Sequence, residues 1–226
     1  MAMSAGAIAD LRDIVAEDLR SADEGAKAAF LAEFGKERDA FTDHTVSALA
    51  TWTDFRDTID DNDRRRLPVA AIAFTAINHH ISSYKLFMSG YTVASGGLFR
   101  QVLEGVSLAS LCSVGSLNVL DRYIAGKYST KNAVRDLEKF ATKVRANSKS
   151  VRVIAAQYEF YHAYAHLTQV SIAVASNFSL GGVANIGAYF DPGKIREYRK
   201  EIQSRISFAK VLPNFMKGVA ANVARW

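Results

Sequence analysis

Apolar positions recur at steps of three and four along nearly the whole chain, which is the helical period. Ile8, Leu11, Val15, Leu19, Ala22, Ala26 and Phe30 form one stripe on a segment otherwise rich in Asp and Glu, weakened locally by Gly25. Phe41, Thr45, Ala48, Trp52, Phe55 and Ile59 follow at alternating steps of four and three, the heptad spacing of helix-on-helix packing. A turn around residues 34–36 would fold these two stripes into a helical hairpin. Pro68, placed at the first position of a third helix, loses nothing by lacking an N–H. That helix carries Ala70, Ala73, Phe74, Ile77, Ile81, Tyr84 and Met88, and Gly90 is its expected C-terminal cap.

A fourth helix is predicted from about Thr92 to Leu111, with Leu98, Val102, Val106 and Ala109 inward. Gly96 and Gly97 lie inside it at a cost in helix propensity, which predicts close backbone contact there. Residues 117–125 read as a short connector. Ser129 or Thr130 can cap a fifth helix bearing Val134, Leu137, Ala141 and Val144. A sixth, from about Val151, carries Val153, Phe160, Tyr164, Leu167, Ser171 and Val174. Asp191-Pro192 opens the last helix, with Ile195, Tyr198, Ile202, Ile206, Ala209 and Leu212, and Pro213 is expected to kink or stop it. No strand alternation of useful length interrupts this pattern. The expected fold is an all-α helical bundle of about six to seven helices, with an N-terminal helical hairpin (residues 1–63), a body (64–226), and a glycine-rich loop before the last helix. The two parts are expected to form one structural unit.

Residues 167–190 contain no charged side chain, a length that raises the question of a membrane span. Gln169, Asn177, Asn185 and Gly181, Gly182 and Gly187 make the segment too polar and too glycine-rich for one. It reads instead as helix to about Ser176 and then loop, with no membrane partner. The 226 residues, 49% apolar and 11% aromatic, exclude a disordered chain. One cysteine, Cys112, excludes a disulfide scaffold and a cysteine-based zinc site. No basic segment with an apolar core opens the chain, so a cytoplasmic location is expected.

The net charge of +5 conceals a division: residues 1–63 hold 15 acidic and 6 basic side chains, residues 64–226 hold 8 and 22. Between Arg122 and Arg152 stand nine Lys and Arg against two acids. Lys131, Arg135, Lys139 and Lys143 follow one another at steps of four, so they share one broad helix face, and Arg152 extends the series. Such a face is either simply solvated or binds phosphates. The scarcity of local acids and the tyrosine-rich stretch nearby point to single-stranded nucleic acid, where cations take phosphates and aromatics stack on bases.

Two further constellations carry candidate chemistry. Arg100 and Glu104 lie one turn apart on an otherwise apolar helix, either as an ion pair that orients two helices or with one member facing a pocket. His162 and His166 share a helix face, and with His79 or His80 as a third ligand they could hold a metal ion. Glu159 and His162 make one Glu-x-x-His, half of a carboxylate-bridged di-iron site, and no second accompanies it; paired helical histidines more often pack or face solvent, so no metal or other cofactor is expected. Phosphate-loop, dinucleotide and nucleophile-elbow motifs are absent.

Gly90-Tyr-Thr-Val-Ala-Ser-Gly-Gly-Leu-Phe-Arg100-Gln-Val-Leu-Glu104 and Tyr161-His-Ala-Tyr164-Ala-His166 together resemble two helices of uncharacterised bacterial all-helical proteins. Those proteins are similar to HEPN (higher eukaryote and prokaryote nucleotide-binding) domains. The resemblance covers about residues 65–180. It implies a homodimeric bundle that binds RNA or nucleotides, in a family with many ribonucleases of defence and toxin–antitoxin systems. It also implies a catalytic group in which His166 is the acid/base, Arg100 stabilises phosphate charge, Glu104 holds Arg100 and Tyr161 lies alongside. The sequence departs from that pattern at one point: no Arg stands four to six residues ahead of His166, and the nearest upstream one is Arg152. Either Arg100 supplies that cation from the neighbouring helix, or the chain has no nuclease activity. The alternatives are a non-enzymatic dimeric interaction protein, with the acidic hairpin covering a basic face, and a metal-dependent hydrolase on His162 and His166.

Overall fold

A computed structural model describes residues 5–20, 23–164, 166, 168–177, 183–184 and 186–226. The architecture is all-α. The α-helices are α1 (Ala5–Arg20), α2 (Glu24–Asp57), α3 (Arg66–Met88), α4 (Thr92–Cys112), α5 (Val119–Ile124), α6 (Ala133–Lys139), α7 (Ala141–Val144), α8 (Ser148–His162), α9 (Gln169–Ala175) and α10 (Ile195–Val223). Among the described residues one two-residue antiparallel pairing, Ser176–Asn177 with Val183–Ala184, comes after α9.

Helix α4 is the hub. It packs on α3, α5, α6, α8, α9 and α10, which is why it is apolar on nearly all sides. α2 and α10 lie against each other and against α3, while α6 and α8 pack on α4 and on each other. Small residues draw α3 and α4 together. A Cβ on Gly105 would come 3.1 Å from the Ala76 Cβ. Ser83 and Ser95 clasp the two helices reciprocally, Ser83 Oγ donating to the Ser95 carbonyl (2.9 Å) and Ser95 Oγ to the Ser83 carbonyl (2.7 Å). The end of α3 is a Schellman cap on Gly90 (φ 88°), with Gly90 N–H donating to Phe87 O and Tyr91 N–H to Leu86 O. A second core, rich in aromatics, fills the space between α2, α3 and α10; Phe41 stacks on Tyr84 at 3.9 Å between centroids.

Several boundaries depart from the sequence reading. The expected turn at 34–36 is a kink inside α2, carried by Phe34 (φ −125°, ψ 26°); α2 itself starts after Asp23 (φ 53°). Phe30 and Phe34 are buried against α3 and α10, and Arg199 spans the kink, pairing with Glu33 (2.6 Å) and Glu37 (3.3 Å) over the Phe34 ring. The connector at 117–125 contains α5, which buries Val119 and Leu120. The fifth helix is divided at Phe140 into α6 and α7, although Val134, Leu137 and Val144 are buried as expected. The sixth ends at His162, and α9 restarts on a capping box between Thr168 and Ser171. α8 also presents a different face from the one expected: Val151 and Tyr161 are buried, while Val153 and Phe160 are 48% and 49% exposed. α10 runs through Pro213, because its buried stripe continues on both sides as Leu212, Met216, Val219 and Val223.

Of the glycine-rich segment, residues 178–182 and 185 lie outside the described residues. The C-terminal end of α9 is held by Lys194, whose ammonium donates to the carbonyls of Ala173 (3.0 Å), Val174 (2.8 Å) and Ser176 and to the Tyr189 hydroxyl (3.0 Å). A cation thereby satisfies the carbonyls left open at the end of that helix. Among the described residues, no helix is long and apolar enough to cross a membrane.

Candidate functional site

A groove between α3 and α4 has a volume of about 670 Å³. Its walls are mostly small or apolar: Pro68, Ala71, Ile72, Ala76, Gly97, Gly105 and Leu108. Polar groups enter from three sides, His79 from α3, Arg100, Gln101 and Glu104 from α4, and Tyr123 and Thr130 from the segment leading to α6. Both open readings of the Arg100–Glu104 pair apply. The two form an i,i+4 ion pair of 3.1 Å, 18% and 13% exposed, and both line the groove. Arg100 Nη2 also donates to the Tyr158 hydroxyl (3.1 Å), and its guanidinium lies over the Tyr158 ring at 5.2 Å. Arg100 Nε is buried without a hydrogen-bond partner. Glu104 and Tyr158 thus fix the guanidinium from two sides.

Tyr161 and His166 do not line this groove. Tyr161 is 1% exposed and points to α10, where its hydroxyl donates to Glu201 (2.7 Å). His166 is exposed and its ring packs edge-on against His162, at 4.5 Å between centroids. The other histidines are dispersed: His79 lines the groove, His80 is fully buried, and His44 is half-buried on α2. Among the described residues no group of three His, Cys, Asp or Glu side chains comes together as a metal site. Cys112 is buried in the core, which pushes its thiol up to about 12.

The basic residues do not share one helix as their spacing suggested, because the helix divides at Phe140: Lys131 precedes α6, Arg135 and Lys139 are on α6, Lys143 is on α7 and Arg152 on α8. Lys131, Arg135, Lys139, Lys143 and Arg152 are all exposed, as are Arg145 and Lys149. Among the described residues, Arg135 alone of this row pairs with an acid, Asp136 at 3.1 Å. Lys139 and Lys143 sit over the half-buried Phe140 ring, at 5.2 and 5.7 Å. α2, which holds seven of the 23 acids, packs on α3 and α10. No ion pair among the described residues joins those acids to the basic face. Thr130, at the rim of the groove, is the residue before Lys131, so groove and face adjoin.

A polar cluster in the core does not stand out in the sequence. Arg205 of α10 is 0% exposed. Its guanidinium donates to Glu201 Oε2 (2.6 Å), Ser95 Oγ (3.0 Å) and the Tyr161 hydroxyl (3.3 Å), and is packed among the rings of Phe87, Phe99 and Tyr161. His80 Nε2 lies 3.1 Å from the Arg205 carbonyl oxygen, and His80 Nδ1 has no partner. Burial, followed by the nearby Arg205 charge, pulls the His80 imidazole down to about 3. Burial also raises the Tyr161 and Tyr164 hydroxyls well above the usual tyrosine range, with the Glu201 carboxylate acting in the same direction. The signal is present in the register: Tyr198, Ile202, Arg205, Ala209, Leu212 and Met216 follow at steps of four and three, which places Arg205 on the apolar stripe.

Comparison of the chain with protein-family models, curated proteins and solved structures returned no match.

Proposed function

We propose that this protein binds single-stranded RNA along the exposed face of α6, α7 and α8, with phosphates on Lys131, Lys139, Lys143 and Arg152 and Arg135 at the margin. One observation carries the reading: a row of exposed cations of which only Arg135 has an acidic partner among the described residues. Cations meant only for solubility are usually interspersed with acids. Fifteen of the 23 acids of the chain lie in residues 1–63, and between residues 122 and 152 only Asp136 and Glu138 offset nine cations. Phe140 adds an aromatic beneath the row, and the groove at Thr130 gives a bound strand a concave place to turn into.

The test is fluorescence anisotropy of a labelled twelve-nucleotide RNA with the wild type and with the combined Lys131→Glu, Lys139→Glu, Lys143→Glu and Arg152→Glu variant. All four side chains are exposed, so the fold should survive. At low salt the variant is expected to lose at least ~100-fold in affinity, since each lost phosphate contact contributes to the electrostatic free energy. Equal affinity of the two proteins overturns the reading.

A second reading rests on α1. Ile14, Val15 and Leu19 are exposed on a helix that also carries Asp10, Asp13, Glu17 and Asp18. An exposed apolar ridge with an acidic surround fits an association surface, including one between two copies of the chain. Light scattering after size exclusion tests it: a dimer lost on Leu19→Lys supports the reading, and a monomeric wild type overturns it.

A further inference from the structure

We propose that the groove between α3 and α4 is a pocket for a guanine base, held through the Glu104 carboxylate. The proposal deepens the RNA reading by naming what the adjoining groove would recognise, and it can fail separately from it.

The first argument is size and shape. A volume of about 670 Å³ falls in the range of small-molecule sites, a few hundred to about a thousand Å³. The space exists where α3 and α4 present Ala71 and Gly97, beside the close approach of Ala76 to Gly105. A Cβ built on Gly97 meets nothing within 4 Å, so this glycine leaves open room and serves no helix contact.

The second argument is charge. Arg100 and Glu104 neutralise each other within the groove, so a phosphate gains little inside it, whereas a neutral polar molecule meets no unmatched charge. Phosphates belong outside, on Lys131 and the residues beyond.

The third argument is donor and acceptor pattern. An ionised carboxylate offers acceptors only, about four lone-pair sites on two oxygens. Arg100 Nη2 lies 3.1 Å from one of those oxygens as an ion pair, and Glu104 accepts no hydrogen bond from any other described residue. A ligand that fits must present adjacent N–H donors. Of the four RNA bases only guanine does so, with N1–H beside the N2 amino group. Adenine and cytosine place a ring lone pair next to their amino group, which would face the carboxylate with repulsion. Uracil sets its one N–H between two carbonyls. Gln101 and His79, also in the groove and without hydrogen bonds among the described residues, can donate to O6 and N7. The contacts from Tyr158 and Glu104 hold Arg100 in place, so the carboxylate is oriented before any ligand arrives.

The experiment is calorimetric titration of the full chain with guanosine, adenosine, cytidine and uridine, repeated on Gly97→Leu and Glu104→Gln. A thermal melt of each variant checks folding. Gly97→Leu fills open space and removes a helix glycine, so it stays folded whatever Glu104→Gln does. The expected result is guanosine binding at least about tenfold tighter than the other three, the discrimination of a bidentate pair. That binding should be lost in Gly97→Leu, and the preference should be lost in Glu104→Gln. Absent guanosine binding, equal affinity for adenosine, or binding unchanged by Gly97→Leu overturns the pocket. Labelled RNAs with and without one guanine, run in parallel, separate the two sources of the base. Tighter binding of the guanine-containing RNA identifies an RNA base as the ligand, and equal binding of both identifies the free nucleoside. If RNA binds but guanosine does not, the pocket falls and the basic face stands; if guanosine binds and neither RNA does, the face falls alone.

Discussion

Arg205 occupies a position that the helical register assigns to an apolar side chain, and its surroundings compensate for the charge. Four hydrogen-bond acceptors and three aromatic rings surround the guanidinium. Removing one member of such a group leaves the others buried and unpaired, so Arg205→Ala is expected to cost about 3–5 kcal/mol in urea unfolding. The double variant Arg205→Met with Glu201→Leu should cost much less than that, since no stranded charge remains. His80 supplies a second outcome. Its folded-state value, about 3, lies below the ordinary value of about 6.5, so the unfolded chain binds the proton that the folded chain refuses. Stability should therefore fall as pH drops below about 6.5, with a slope approaching 1.4 kcal/mol per pH unit between about 6 and 5, above most carboxylate titrations. Denaturant midpoints measured across that window for the wild type and for His80→Gln check it: the variant should show the flatter profile. Neither residue stands out in the sequence, because a charged or ionisable side chain breaks an apolar count. The 4-3 spacing on both helices is the available signal.

At the scale of the helices, the stripes of α2, α3 and α10 are legible in the sequence because each buries a continuous face, although Phe74 of the α3 stripe is 40% exposed, and α4 is legible as a helix apolar on nearly all sides. The Gly90 cap is legible for the same local reason, since only glycine adopts its positive φ without strain. The kink at Phe34 is not, because Gly35 and the charged residues around it favour a turn locally, while Phe30 and Phe34 gain more by packing on α3 and α10. α8 departs from its expected face because Val153 and Phe160 are as apolar as the residues that face inward, and periodicity alone does not choose between two adjacent faces. Of the candidate site, Arg100 and Glu104 can be found as a charged pair on an apolar helix, and the basic row by spacing. Their relation to Tyr161 and His166 cannot, since it depends on how α8 is rotated. The glycines of α4 make an element-level test. A Cβ on Gly96 would fall 2.3 Å from the Tyr164 ring, whereas one on Gly97 meets nothing. Gly96→Ala should destabilise by about 1–3 kcal/mol and Gly97→Ala should stabilise by about 0.5–1 kcal/mol in the same unfolding assay.

For the whole molecule, the net charge of +5 resolves into two territories. Of the 23 acids, 15 lie in residues 1–63, with α2 packed on α3 and α10, and the cations of residues 122–152 lie mostly on and around α6, α7 and α8, of which α6 and α8 pack on α4. Within one chain the acidic part is not paired with that face among the described residues. The face is therefore available to phosphates, and the adjoining groove to a base. The most direct test is the salt dependence of RNA binding by the wild-type protein. If four cations each meet a phosphate, the logarithm of affinity falls against the logarithm of salt with a slope near −2.8, or about fiftyfold weaker binding from ~50 to ~200 mM salt. A slope close to zero, or affinity no greater than for a neutral polymer, would contradict the account.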